Sequence, residues 1–353
     1  MRTFRVYAPR MGQPTTENRT PFHAETLFLT DEEVRSLLVP VVKATYTFDK
    51  TGRLQLAPEQ VPLSLAGEWW GKPGESSYRY EPECAFTKLA TDVVLLGSAH
   101  SPRKDTRELM VSLEVGPVRK RVRVVGDRVW FKSLGTIRMT EPLAFETLPL
   151  RYERAFGGRD PEKKQDFEPR NPVGMGFRAA RSPFTEGVRL PNLEDPAHPI
   201  SRFGQGGPPA GFGFLSPEWT PRAAFAGTYD ESWRKRRMPL LPRDFDRRFF
   251  NAASPGLVAP GYLRGDEPVT LLNATPEGRV AFRLPGIPPP RVRVQRVERP
   301  DVLMETHLDT VILDADARQV FLLWRGHLVL SNGPHEVRAL RVSAEGVDTR
   351  AAS

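Results

Sequence analysis

The alternation of apolar and polar positions is clearest between Leu109 and Val124. Leu109, Val111, Leu113 and Val115 alternate with Met110, Ser112 and Glu114, and Gly116-Pro117 then turns the chain. On the return, Val118, Val122 and Val124 share one face while Arg119, Arg121 and Arg123 occupy the other. A period of two with one charged face predicts an antiparallel hairpin wetted on one side. Residues 92–97 are apolar on both faces, which predicts a central strand. Residues 38–48 predict a strand ending in Asp49-Lys50-Thr51-Gly52, with Leu54 and Leu56 starting the return. Gly126-Asp127 turns the chain again into Val129-Trp130-Phe131. Residues 10–27 are polar and read as loop, and Thr30-Asp31-Glu32-Glu33 has the spacing of a capping box, enough for one helical turn at most.

Strand patterns resume after Pro260: 269–272, 280–284, and 291–295 behind the stop Pro288-Pro289-Pro290. Residues 310–313 and 319–324 flank Asp314-Ala315-Asp316-Ala317-Arg318 with the spacing of a hairpin. The fold class that follows is mostly β. Two antiparallel β units, sandwich- or barrel-like, lie at 1–140 and 261–343, with a polar, frayed tail at 344–353. The two units either pack together or form one continuous assembly.

Between them lies an irregular insert, 141–260, with few short helices. Gly and Pro punctuate it and would mark a linker. Yet of the chain's 6 Trp, 7 Tyr and 20 Phe, fifteen fall between Tyr152 and Phe250. Disordered linkers are aromatic-poor, so the insert reads as ordered, shaped by Gly and Pro and held by aromatic packing. Val and Ile are nearly absent there, which argues against an ordinary sheet. One helix-like piece, 230–237, has an acidic start and a basic end that suit the helix dipole.

Composition narrows the classes. A length of 353 residues suits two domains, and 35 Pro with 28 Gly disfavour long helices. The net charge of +8 favours acidic partners. One cysteine, Cys84, excludes a disulfide framework and a thiolate metal cluster. Met1-Arg2-Thr3-Phe4-Arg5 leads into no apolar run, so no secretory signal is expected, and no run approaches the ~20 residues of a membrane span. A cytoplasmic protein with no membrane partner and no cofactor is expected.

The candidate chemistry is thin. Gly174-Met175-Gly176-Phe177-Arg178-Ala179 fits the dinucleotide pattern, but prolines on both sides forbid the strand and helix that motif needs, so it reads as a turn that lets Phe177 pack. Asp314-x-Asp316 lacks the Gly and Glu that complete a calcium loop. His23, His100, His198, His307, His327 and His335 show no zinc spacing. A hydrolase would draw on Asp244, Asp246 or His307, although Asp244 and Asp246 more simply pair with flanking arginines. Arg234-Lys235-Arg236-Arg237 and the alternating arginines could meet nucleic acid, the weaker reading given the interspersed acids. Trp69-Trp70 is either a core plug or an exposed anchor. The residues best suited to grasp a protein partner are Trp69, Trp70, Phe212, Phe214, Trp219, Tyr229, Trp233, Arg234, Arg236 and Arg237. Of these, Trp219, Tyr229 and Trp233 are expected to reach outward while Phe156, Phe177 and most other aromatics pack inward.

A series of clusters, in order, carries a resemblance. It begins with Val41-Val42-Lys43-Ala44-Thr45-Tyr46, Thr87-Lys88-Leu89-Ala90-Thr91-Asp92 and Tyr152-Glu153-Arg154-Ala155-Phe156-Gly157-Gly158. It continues through Asn171-Pro172-Val173-Gly174, Leu190-Pro191-Asn192, Pro209-Ala210-Gly211-Phe212, Trp219-Thr220-Pro221-Arg222, Gly227-Thr228-Tyr229-Asp230 and Phe249-Phe250-Asn251-Ala252-Ala253, and closes with Leu308-Asp309-Thr310 and Trp324-Arg325. From about Leu38 to Arg325 the chain closely resembles the domain of unknown function 2169 family, found in bacterial type VI secretion gene clusters. The resemblance implies a bacterial adaptor or chaperone that loads a toxic effector onto the valine-glycine-repeat spike or its PAAR-type tip. It carries over no catalytic residue.

Overall fold

The computed structural model describes residues 14–345, so the tail expected to fray lies almost wholly outside them. At its centre is the 13-residue strand Ser36–Phe48, buried on both faces from Leu37 to Tyr46. Each of its sides serves two partners in tandem. His23–Thr30 and then Leu54–Leu56 pair along one, Leu328–Leu330 and then Gln319–Arg325 along the other, all antiparallel. Gln319–Arg325 forms a hairpin with His307–Asp314, which pairs in parallel with Asp92–Leu96, Thr310 opposite Asp92.

A second sheet is built on the hairpin Glu108–Val115 and Val118–Val125. Leu193–Glu194 adds to one edge, and Pro268–Leu272 with Arg279–Arg283 extends the other. The turn needs Gly116, whose φ is +54° and whose Cβ would stand 2.6 Å from Glu267 Cγ. A third sheet runs Thr15–Asn18, Val337–Ser343, Arg291–Arg296 and Val302–Glu305, its first pair parallel.

All three sheets therefore take strands from both ends of the chain. The N- and C-terminal β segments form the continuous assembly that the sequence left open, and two of the pairings are parallel where antiparallel ones were expected. Residues 15–18 and 23–30 are strands rather than loop. Nor does a helical turn form at residues 30–33. Asp31 Oδ1 instead accepts from the backbone N–H of Glu33 (3.0 Å) and Arg35 (2.9 Å), and Val34 takes a φ of +67°.

The insert is ordered and irregular, as read. It contains two-residue strands, three 3-10 turns (Tyr152–Arg154, Arg222–Phe225, Arg247–Phe250) and the helix Glu231–Arg236, capped by Asp230. It covers the outer edge of Asp92–Leu96. Val93 N–H donates to Leu257 O (2.9 Å), Leu95 N–H to Phe212 O (3.2 Å), and Ala259 N–H to Thr91 O (2.9 Å). An unpaired edge invites foreign strands, and here the chain's own insert covers it. Phe212, Phe214, Trp219, Phe245, Phe249 and Phe250 join the main core, while Trp130, Phe156, Leu190 and Ile200 form a satellite core.

Charged groups are buried at the same seam. Lys88 Nζ lies 2.7 Å from Asp92 Oδ2, which also accepts from Ala252 N–H (2.9 Å). Lys43 Nζ donates to both oxygens of Glu83 (2.8 and 2.9 Å). Arg325 donates to Asp309 Oδ2 (2.6 Å) and to Ala85 O (2.7 Å). These pairs satisfy one another and tie the insert and both β segments into one interior.

Candidate functional site

Where the insert meets the second sheet there is an open cleft of about 280 Å³. Its walls are Pro208, Pro209, Pro221 and Pro255 with Ala210 and Leu215, and its charged lining groups are Lys120, Arg121, Arg170 and Asp195. Tyr152 completes it. The Tyr152 ring meets Trp219 edge-on (5.4 Å, 85°) and lies against Gly211, where a Cβ would stand 2.9 Å from the ring carbons. Asn171 Nδ2 fixes the turn behind it by donating to Tyr152 O (2.8 Å) and Phe156 O (3.0 Å). Three of the clusters singled out in the sequence thus supply lining residues: Tyr152, Pro209-Ala210, and Thr220-Pro221.

The tyrosine hydroxyl is hydrogen-bonded to Ser254 Oγ (2.8 Å), and Lys120 Nζ donates to that same oxygen and to Pro255 O (2.8 Å). Burial pulls the Lys120 ammonium down to about 8, with Asp195 opposing the shift, and burial pushes the Tyr152 phenol up. A serine between a lysine and a tyrosine suggests an activated nucleophile. Ser254 is fully buried, however, and lies behind the cleft rather than in its lining. The trio holds the 254–255 turn to the sheet.

The other charges divide sharply. Arg170 is committed to Glu168 through two bonds (2.6 and 2.8 Å) and to Gly207 O (3.0 Å). Asp195 accepts from Ala197 N–H (2.8 Å) and faces His198 Nδ1 at 3.5 Å. Of the alternating arginines, Arg123 lies between Glu194 (2.9 Å) and Glu108, and Arg119 lies 4.0 Å from Glu114. Arg121 is exposed and has no ion pair among the described residues.

The ten residues expected to grasp a partner separate into three groups. Phe212, Phe214 and Trp219 are interior, at 0%, 2% and 1% exposure, which corrects their assignment to a contact surface. Phe212 is drawn inward by its backbone bond to the sheet edge at Leu95 and Phe214 by its bridge to Ala253 in the insert, and the Tyr152 ring packs on Trp219. Trp69 and Trp70 are half-buried. Trp69 stacks on Tyr78 (3.8 Å, 26°), and the guanidinia of Arg151 and Arg79 lie 3.8 and 5.2 Å from the Trp70 ring.

The third group gathers on the helix Glu231–Arg236. Tyr229 meets Trp233 edge-on (4.7 Å, 69°), and Trp233 Nε1 donates to Leu240 O (2.8 Å). Arg234 and Arg236 are exposed, and Met238 beyond them is 60% exposed. Arg237 is a tether instead, donating to Leu241 O and Glu32 O.

The remaining candidates fix the chain. Asp244 accepts from Thr228 N–H (3.0 Å) and Oγ1 (2.7 Å), and Asp246 from Arg248, contacts that hold both carboxylates below the usual range. His307 stacks flat on Tyr262 (4.5 Å, 7°). Met175 and Gly176 bridge to Phe156 and Gly157, and Phe177 packs on the satellite core, so the dinucleotide-like motif is a turn. Asp314 and Asp316 accept from Tyr80 OH (2.9 Å) and Ser98 N–H (3.0 Å). Among the described residues no cluster of His, Cys, Asp or Glu could hold a metal, and no helix is long and apolar enough to cross a membrane.

Sequence reasoning missed Lys120, yet a signal was present. It stands in the register of Val118, Val122 and Val124, where the alternation calls for an apolar residue. Asp195 and Ser254 carried no such mark.

Compared with known families, residues 33–325 match a family described as an uncharacterized protein conserved in bacteria. Neither a curated protein nor a solved structure matches the chain.

Proposed function

From the premise that the chain belongs to this bacterial family, DUF2169, we propose that it is a non-catalytic adaptor that binds a protein partner. The resemblance drawn from its motifs makes that partner a type VI secretion effector, loaded from the cytoplasm onto the spike or its PAAR-type tip. The observation that carries the reading is the surface around the helix Glu231–Arg236. A pre-set aromatic pair, Tyr229 and Trp233, stands beside exposed Arg234, Arg236 and Met238. Aromatic, arginine and methionine side chains are the types enriched at protein interfaces. The net charge of +8 supports an acidic partner surface.

The test is capture of the protein from its native bacterium, with identification of what accompanies it. A toxin and a spike or tip protein are expected, and deletion of the gene should leave that toxin unloaded. Normal loading in the deletion strain overturns the reading. Capture should weaken from low to high salt, and an unchanged yield removes the electrostatic part.

A further inference from the structure

We propose that the cleft between the second sheet and the insert is a socket for a carboxylate-bearing segment of the partner, met by Lys120, with Arg121 beside it adding positive charge. The inference rests on the adaptor reading and specifies the chemistry that the partner brings.

Lys120 occupies an apolar register position and is half-buried. It donates hydrogen bonds to two neutral oxygens, Ser254 Oγ and Pro255 O. Its one carboxylate neighbour of consequence, Asp195, is already engaged by Ala197 N–H and His198. A cation withdrawn from water without a paired counter-ion is costly, and an incoming anion relieves that cost. Arg121 follows Lys120 in the strand and so faces its other side, yet it also lines the cleft and is exposed and free of an ion pair among the described residues, whereas Arg170 is committed to Glu168. The proline, alanine and leucine walls favour apolar residues beside the carboxylate. At about 280 Å³ the space falls at the lower edge of ordinary small-molecule sites, ~300–1,000 Å³, and suits one or two side chains. Tyr152 and Lys120 both bond to Ser254, whose buried hydroxyl lies behind the cleft rather than in its lining.

The experiment uses the full-length chain and two immobilised hexapeptide libraries of random sequence, one with Glu fixed at the third position and one with Gln. At low salt the Glu library should be retained more tightly, by on the order of tenfold in Kd. K120M should abolish the preference and R121Q should reduce it. Because Lys120 also holds Ser254 and Pro255, R121Q supplies the variant with no hydrogen bond or ion pair to lose among the described residues, and both variants are melted alongside. Equal retention of the two libraries, or a Glu preference that survives both substitutions, overturns the socket. A native partner that binds K120M and R121Q as tightly as the wild type overturns it too and leaves the adaptor reading standing. A Glu preference lost in both variants, in a chain that captures no native partner, supports the socket and counts against the adaptor reading alone.

Discussion

Arg222 and Glu81 pair inside the protein although 141 residues separate them in the chain. The Arg222 guanidinium donates to Glu81 and also to Phe249 O (2.8 Å) and Leu215 O (2.7 Å), so one side chain joins the insert to the N-terminal segment. Burial still pushes the Glu81 carboxyl up, with Arg222 and Lys88 opposing it. Arg222→Met should therefore cost roughly 3–5 kcal/mol, because it leaves a buried acid short of its partner. Glu81→Gln, which keeps the shape and half the acceptor, should cost less. Urea unfolding of the two variants checks the order, and equal losses would show that the pair is no more than packing.

Trp219 and Trp233 both looked suited to a partner, and their positions now separate them. Trp219→Ala removes a fully buried ring from the main core and should cost about 3–5 kcal/mol. Trp233→Ala loses an edge contact with Tyr229 and one hydrogen bond, worth about 1–2 kcal/mol together, while partner capture should fall by tenfold or more. Thermal melting and quantitative pull-down read the two effects. Undiminished capture by W233A would remove this helix from the interface.

What the sequence disclosed and concealed follows from the range of each signal. The hairpin around Gly116 was legible because its faces differ, apolar on one side and arginine on the other. Residues 92–96 announced a buried strand, but a strand apolar on both faces says nothing of its neighbour, so the parallel pairing with His307–Asp314 stayed hidden. Residues 10–27 looked like loop because they are largely polar, although 15–18 pairs with 339–342 far along the chain and 23–30 is an edge strand on the neighbouring 36–43. In the insert, aromatics spaced by Gly and Pro have no period, and Trp219 could not be told from Trp233. Nothing in the sequence marked Lys88 and Arg222 as buried, since only tertiary contacts enclose them. Lys120 alone was readable in retrospect, as a cation in an apolar register.

Gly157 tests how tightly the insert is folded. Its φ is +151°, and an added Cβ would stand 2.2 Å from Asn171 O, the carbonyl that accepts from Gly158 N–H. Gly157→Ala should therefore destabilise by roughly 1–3 kcal/mol from backbone strain alone, with the contact adding to it. The loss should concentrate in the satellite core of Trp130 and Phe156, seen as faster amide exchange there than in Ser36–Phe48. Uniform exchange would mean that insert and sheets unfold as one unit.

Lys120 makes the stability of the free protein depend on pH in an unusual sense. Its folded value, about 8, lies below the ordinary 10.5, so between these limits the unfolded chain binds more protons than the folded one. Stability contributed by this group therefore rises with pH across that window, and its cost is complete below it. The shift corresponds to at most about 3 kcal/mol, less because water reaches part of the side chain. Arg121 also lines the cleft, while Arg170 is neutralised by Glu168 and Tyr152 stays protonated, so Lys120 is the group that titrates. Lys120→Met removes the cost but also its bonds to Ser254 and Pro255. A net gain of about 1 kcal/mol is expected at pH 7, shrinking as the pH rises from 8 towards 10.5. Urea unfolding of both proteins at pH 7 and 9.5 measures the difference. If the gap stays constant, Lys120 is charged in the folded protein across the whole range, and the cleft does not burden it.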